Sequence, residues 1–195
     1  FDVLQGDVGS VAFVFGNERM GMTDQDMSMC DVVLGIPTNP DFGSLNLASA
    51  VQLVAYDWRQ ALGGFPSRQR GGGRPSTRLY ATARDDDLTA TKTRFVLVQT
   101  RHPGNVGAAA RALLTMGFDE LVLVDPADRK ILNRQKAIDG ASGARGILEN
   151  AKIEDSLAAA LEGFELRCAT GMPTDMARSR STQVFREPRA FVEDM

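Results

Sequence analysis

The sequence predicts an α/β domain built on a mainly parallel sheet of five to six strands flanked by helices. Three observations carry that prediction. Short apolar runs rich in β-branched residues alternate along the chain with longer stretches of helical periodicity, the pattern of strand–helix–strand units. The chain has 195 residues, 43% hydrophobic and 24% charged, which suits one sizeable core and is short for two full domains. Glycine-containing turns follow several of the strands, at the edge where open parallel sheets bind ligands.

Taken in order, residues 10–15 and 32–36 form the first two strands. Residues 44–62 carry the strongest helical pattern, with Ala48, Val51, Ala55, Trp58 and Leu62 on one stripe and Leu47, Ala50, Val54 and Ala61 on a second. A helix apolar on two faces must be covered twice, either at a subunit interface or sandwiched within its own subunit. Residues 63–91 break every period with Gly63-Gly64, Pro66, Gly71-Gly72-Gly73, Pro75 and Asp85-Asp86-Asp87, and read as a linker. Its arginines, Arg68, Arg70, Arg74, Arg78 and Arg84, read as solvated charge, with contact to phosphates as the alternative. Strands over 94–100 and 120–125 enclose a helix over 105–116, striped by Val106, Ala109, Ala110 and Leu113 and stopped by Gly117. Weaker helical patterns over 136–150 and 154–162 precede the last strand, 164–170.

The two ends complete each other. Residues 187–195 continued directly into residues 1–6 make one amphipathic helix, with Pro188 near its first turn and Gly6 as its stop. Phe191, Met195 and Leu4 share a stripe, with Val192 and Phe1 beside it. Neither fragment carries both signals, and both ends read as cut. The expectation is a single circularly permuted domain over 1–195. Residues 92–195 are then the first half of the parental order, 1–62 the second half, and 63–91 the linker between old termini.

Composition narrows the function. Lys+Arg 22 against Asp+Glu 25 leaves a formal charge of -3, so no overall basic character marks a nucleic-acid or membrane-surface binder, although a local basic face stays open. Two distant cysteines, Cys30 and Cys168, and the single His102 are too few for a Cys/His zinc cluster, and no metal is expected. No apolar run approaches membrane-spanning length, which reads as a protein of a reducing, cytoplasmic compartment.

Three segments place Gly, Asn, Ser, Arg and Glu at strand ends. The first runs from Thr100 to Arg111, with Gly104 and Gly107 permitting close backbone approach and Arg111 on the first or second helical turn, able to point back at the strand ends. Its spacing is not that of a dinucleotide fingerprint. The second is Phe15-Gly16-Asn17-Glu18-Arg19-Met20-Gly21-Met22, where Glu18 and Arg19 are costly to bury unless paired or used. The third runs from Ile36 to Ala48; Ser44 reads as the N-cap of the long helix, and Asn46 as a poor helix former whose amide is open to a ligand.

Together these segments resemble the three motifs of the SPOUT superfamily of S-adenosylmethionine-dependent RNA methyltransferases, and within it the TrmJ-type ribose 2′-O-methyltransferases. The likeness extends through Gly140-Ala141-Ser142-Gly143-Ala144, Ala169-Thr170-Gly171 and Ala177-Arg178-Ser179-Arg180, and leaves out little but the linker. One departure stands out: the second and third motifs precede the first, the order that the split helix predicts. The resemblance implies that S-adenosylmethionine is held by Thr170, Gly171, Gly16, Asn17, Glu18, Ile36, Pro37, Leu45 and Asn46. Arg111 is the first candidate for catalysis; a guanidinium with a pKa above about 12 is a poor base, so gripping phosphate and stabilising the developing alkoxide suit it better. Asn105 and Ser44 would orient ribose or phosphate, Glu18 would position Arg111 or its own loop, and Asn46 stands with them. Arg101, Arg178 and Arg180 are the expected RNA contacts, while His102 reads as a substrate-loop or exposed residue.

What the resemblance further implies is a tRNA substrate methylated in its anticodon loop, and a homodimer with the active site between subunits. Ribosomal RNA is the alternative substrate, and a cofactor-binding chain without turnover the alternative to an enzyme. SPOUT domains also carry a trefoil knot; the cut between Met195 and Phe1 predicts that it is untied or altered, with exchange of segments between subunits.

Overall fold

The computed structural model describes residues 8–39, 41, 43–65, 91–171 and 183–185. Seven parallel strands form one sheet: β1 (Ser10–Phe15), β2 (Val32–Gly35), β3 (Lys92–Val98), β4 (Leu121–Val124), β5 (Lys152–Glu154), β6 (Leu166–Gly171) and β7 (Gln183–Phe185), in the spatial order β5-β4-β3-β1-β6-β2-β7. The five expected strands are present, most within two residues of their expected bounds. β5 and β7, three residues each, lack the length for a readable pattern.

Strand alternation divides the core in two. Val11, Phe13 and Phe15 of β1 point to one face with Phe95 and Leu97 of β3, while Ala12 and Val14 point to the other with Val96 and Val98. The first face is covered by α2 (Leu47–Ala61), α3 (Pro103–Thr115), α4 (Gln135–Ala141) and α5 (Arg145–Asn150); the second by α1 (Asp24–Ser28) and α6 (Leu157–Leu161). On the first face Phe13 packs edge-on to Trp58 at 5.5 Å and beside Phe95 at 5.4 Å, and Phe95 continues to Phe118 at 5.3 Å. No helix among the described residues is long and apolar enough to cross a membrane.

Local chemistry sets the helix bounds. α1 is held by a capping box between Thr23 and Asp26, a signal that five residues are too few to reinforce with a period. α2 starts at Leu47 with Asn46 as its N-cap, the Asn46 Oδ1 accepting the Ala48 amide at 2.9 Å. The capping role therefore belongs to Asn46, not Ser44. The expected helix over 136–150 is broken into α4 and α5 by Ser142, whose φ of 50° no helix accommodates. Both apolar stripes of α2 face inward in one broad band: Leu47, Ala48, Val51, Val54, Ala55 and Trp58 are buried, and Ala50 and Ala61 pack against the same core. The second stripe is thus covered within the chain. What α2 turns outward instead is Leu53 and Tyr56, 44% and 43% exposed.

Two contacts fasten α2. Trp58 Nε1 donates to Thr93 Oγ1 at 3.0 Å, which sets the last turns of α2 on the start of β3. Arg59 donates through Nε to the Met116 carbonyl at 2.7 Å and through Nη2 to the Gly117 carbonyl at 2.9 Å, satisfying carbonyls at the end of α3 while its guanidinium lies over Phe118. Opposite, Arg94 is buried on β3, where it pairs with Glu120, donates to the Ala160 carbonyl at 2.7 Å and stacks on Phe164. The thiols of Cys30 and Cys168 are free and buried; burial pushes Cys30 up to about 12 and Cys168 upward as well, so both are inert core groups.

The helix expected across 187–195 and 1–6, most of the linker with its five arginines, and Arg178 and Arg180 lie outside the described residues, as does any threading of the chain through them.

Helix α3 meets α4 at backbone distance. A Cβ on Gly107 would overlap the Ala137 carbonyl, and one on Gly140 would come within 3.0 Å of the Gly104 carbonyl. The close approach permitted by Gly107 is therefore to a neighbouring helix. Gly107→Ala is expected to lower the unfolding free energy by about 2–3 kcal/mol in urea denaturation, through overpacking against backbone. Gly143→Ala, where the new methyl meets open space, is the near-neutral control.

Candidate functional site

Because all seven strands run parallel, their carboxyl ends share one edge of the sheet, and a cavity of about 330 Å³ opens there. Its walls come from four stretches distant in sequence. The turn after β1 contributes Phe15 through Met22; β2 and its exit contribute Ile36 and Thr38; β6 contributes Thr170 and Gly171; and the entry to α2 contributes Ser44, Leu45, Leu47 and Ala50, with Met27 of α1 closing the far side. The size and the mixture of apolar side chains with a few polar groups are those of a small-molecule pocket.

The turn after β1 is the most tightly built part. Asn17 and Gly21 exchange two backbone hydrogen bonds of 3.1 Å, and Asn17 Oδ1 accepts the amides of Arg19 at 2.9 Å and Met20 at 2.7 Å. Gly21 adopts φ +67°, and any Cβ on Gly16 would overlap the Gly21 backbone, so this fold of the turn requires glycine at both positions. The turn thereby aims Glu18 sideways, towards the loop after β3.

There the Glu18 carboxylate accepts four hydrogen bonds: from Thr100 Oγ1 at 3.0 Å, from the amides of Arg101 and His102 at 3.1 Å each, and from Asn105 Nδ2 at 3.1 Å. It stands at the start of α3, where His102 supplies no side-chain cap, and where a carboxylate complements the positive end of the helix dipole. Asn105 Oδ1 in turn accepts from Asn46 Nδ2 at 3.0 Å, and Asn46 caps α2. One polar chain, Glu18 to Asn105 to Asn46, thus joins the loops that follow β1, β3 and β2. Burial pushes the Glu18 carboxyl up, but the hydrogen bonds from its own backbone, Asn105, Arg101 and His102 outweigh that and hold it below the ordinary carboxylate range.

Of the residues expected at the site, Gly16, Asn17, Glu18, Ile36, Ser44, Leu45, Thr170 and Gly171 line the cavity. Asn105 and Asn46 sit behind it in the polar chain, and Pro37 is exposed outside the lining. Thr170 spends its hydroxyl on the Val14 carbonyl at 3.0 Å, leaving backbone as its polar offering. Ser44, released from capping, is exposed at the cavity wall. Arg111 lies on the third turn of α3, not the first or second; it is exposed, is absent from the cavity lining, and has no ion-pair partner among the described residues. Glu18 positions the loop after β3 and not Arg111. Arg101 and His102 are exposed on that loop. The sequence reading missed the methionine wall of Met20, Met22 and Met27, which follows neither a strand nor a helix period.

A family model described as the SpoU rRNA Methylase family matches residues 3–56 and 92–192. Among curated proteins, the chain is 36% identical over 125 residues, 61% of its length and 51% of the relative's, to a protein of Photorhabdus laumondii named tRNA (cytidine/uridine-2'-O-)-methyltransferase TrmJ. It is 41% identical over 96 residues, 49% of its length and 35% of the relative's, to the tRNA (cytidine/uridine/adenosine-2'-O-)-methyltransferase TrmJ of Pseudomonas aeruginosa. These matches span about half or less of each relative. Among solved structures, a probable methyltransferase from Bordetella pertussis Tohama I aligns with TM-score 0.38 and 24% identity over 52% of this chain and 88% of that one.

Glu18→Gln replaces two acceptor oxygens with one acceptor and one donor, so an amide N–H faces the backbone N–H groups it should bind. The variant is expected to keep the fold and to raise amide hydrogen exchange at Arg101 and His102 about tenfold or more. In the wild type the sign follows from the lowered pKa: the clamp is complete above the ordinary carboxylate range and is lost as pH falls through the lowered folded value. NMR-detected exchange at those two amides between neutral and acidic pH, corrected for intrinsic rates, checks both statements.

Proposed function

The chain belongs to the SpoU rRNA methylase family, and from that premise we propose that it transfers a methyl group from S-adenosylmethionine to a ribose 2′-hydroxyl of tRNA in the cytoplasm. The observation that carries this reading is the cavity at the carboxyl edge of the sheet, lined by the segments that resemble the second and third family motifs and by Thr170-Gly171, with the segment that resembles the first tied to its wall through Glu18. The donor set fits the cofactor. The half-buried Gly16, Gly171 and Leu45 bring backbone to the cavity lining, which suits the reading of a nucleobase edge, and Met22, Met27, Ile36 and Leu47 supply the apolar cover. Bound there, S-adenosylmethionine supplies an activated methyl group on a sulfonium.

The protein's part is alignment and charge management, since displacement at that methyl needs a nucleophile held in line and its proton managed. Ser44 is the exposed hydroxyl at the cavity wall available to a ribose, and Asn105 acts behind it by holding Asn46 at the entry to α2. Glu18, fully engaged with four donors, holds the loop bearing Arg101 and His102 in one place and is not left free to act as the base. Arg111 carries the fork-shaped cation suited to a phosphate and a developing alkoxide. Its exposure away from its own cavity supports a homodimer in which it serves the cavity of a second copy, with Leu53 and Tyr56 of α2 as the apolar contact.

Two observations support reading the chain as a circular permutation of the family domain. β1, from the start of the chain, lies between β3 and β6, and β2 lies between β6 and β7, so the two halves of the sequence interleave in one sheet. The Trp58–Thr93 hydrogen bond brings the end of α2 to the start of β3, so the termini that a linker would join are neighbours.

Incubation of unmodified tRNA with the protein and methyl-labelled S-adenosylmethionine, followed by nucleoside mass spectrometry, should yield a labelled 2′-O-methylnucleoside. Label in ribosomal RNA alone would move the substrate, and a label on a base would overturn the reading. Arg111→Lys keeps the charge and loses the fork; turnover is expected to fall about 100-fold with cofactor affinity unchanged, measured by the same assay and by calorimetry.

A further inference from the structure

Arg19 differs from the partnered arginines of the fold, and from Arg101 and Arg111, which are unpartnered among the described residues, by lying in the cavity lining. Arg94 pairs with Glu120, Arg167 forks onto Asp31 at 2.7 and 2.9 Å, and Arg59 caps α3. Arg19 lines the cavity, is exposed at its mouth, and has no acceptor for its guanidinium among the described residues. It is also the single cationic side chain of the cavity lining among those residues. The adjacent Glu18 does not neutralise it, because that carboxylate is turned to the loop after β3 and accepts four hydrogen bonds there. The backbone beneath Arg19 is fixed: Asn17 Oδ1 holds its amide, and the Asn17–Gly21 pair closes the turn on either side.

We infer that Arg19 is a binding residue for an oxyanion at the cavity mouth, either the carboxylate on the amino-acid tail of the methyl donor or a phosphate of the RNA acceptor. This inference rests on the methyltransfer reading above. A guanidinium offers five donors in a planar fork that matches both anions, and a turn that fixes its backbone removes part of the ordering cost of binding. The same arrangement accounts for an arginine on a tight turn that contributes nothing to the core: its N–H groups are kept for a ligand. It also gives the cavity a sign, cationic at the mouth and apolar at the methionine wall, which would orient a molecule with an adenosine at one end and an acid at the other.

The test compares wild type with Arg19→Gln and Arg19→Lys, after equal melting temperatures confirm that an exposed side chain was changed without loss of fold. Calorimetry is run with S-adenosylmethionine and with 5′-methylthioadenosine, a thioether that keeps the nucleoside and the S-methyl group but lacks the amino-acid tail and its carboxylate; tRNA affinity is measured across a salt series. If the anion is the donor's carboxylate, Arg19→Gln weakens S-adenosylmethionine about tenfold or more and leaves methylthioadenosine unchanged, with Arg19→Lys between them. If it is a phosphate, cofactor binding is unchanged while tRNA affinity falls and its salt dependence flattens by about one counterion. Arg19→Gln that leaves both S-adenosylmethionine and tRNA within about twofold of wild type overturns the inference alone. A wild-type chain that binds neither overturns the methyltransfer reading and this inference with it.

Discussion

The carboxylate of Glu18 is the constraint on which the arrangement of the site depends. Its four donors come from one short stretch, Thr100 to Asn105, that lies more than eighty positions away in the chain. Thr100 is fully buried and, among the described residues, finds its hydroxyl partner only there, so losing the carboxylate would strand a buried polar group as well as free a loop. From Asn105 the linkage runs to Asn46 and into the first turn of α2, whose entry carries Ser44 and Leu45 to the cavity. A small change at one carboxylate therefore acts on three loops. The glycines at 16 and 21 serve the same end, since without them the turn cannot aim Glu18 across the sheet edge.

The sheet explains why segments so far apart meet. Side chains of β1 pack on both faces, and its backbone is bonded to β3 on one side and to β6 on the other. Neither half of the chain has a complete sheet alone: β3, β4 and β5 lack the strand that separates them from β6, and β1 and β2 have no ladder with each other. Folding the cavity is thus inseparable from closing the sheet. Arg59 and Trp58 add the fastening at the opposite edge, where α2 reaches both the end of α3 and the start of β3.

Much of this was legible in the residues. β-branched runs located the buried strands, Gly117 marked the end of α3, and three loops rich in Gly, Asn and Glu pointed to the edge where the cavity opens. Other features depend on geometry that periodicity does not encode. Ser44 and Asn46 are both good capping residues two positions apart, and only the observed start of α2 decides between them. The two stripes on α2 left a subunit interface and a helix sandwiched within its own subunit both open, because a helical wheel does not show how far one sheet face wraps around a helix. β5 and β7 escaped because three residues carry no pattern, and the break at Ser142 because a strained backbone leaves no compositional trace. Arg111 was placed one turn too early, because the helix starts at Pro103 and not at Asn105.

If the cavity is the methyl-donor site, the loops tied together by Glu18 respond to the donor as one unit. Backbone amide chemical-shift mapping on addition of S-adenosylmethionine tests it most directly. Shifts are expected to concentrate at residues 16–22, 36–38, 44–47 and 170–171, with a second set at Arg101, His102 and Asn105 transmitted through the Glu18 carboxylate. Shifts confined to the opposite side of the fold, around Met29, Ala158 and Phe164 where a second groove lies, or saturation of the first set with no response at Arg101 and His102, would contradict it.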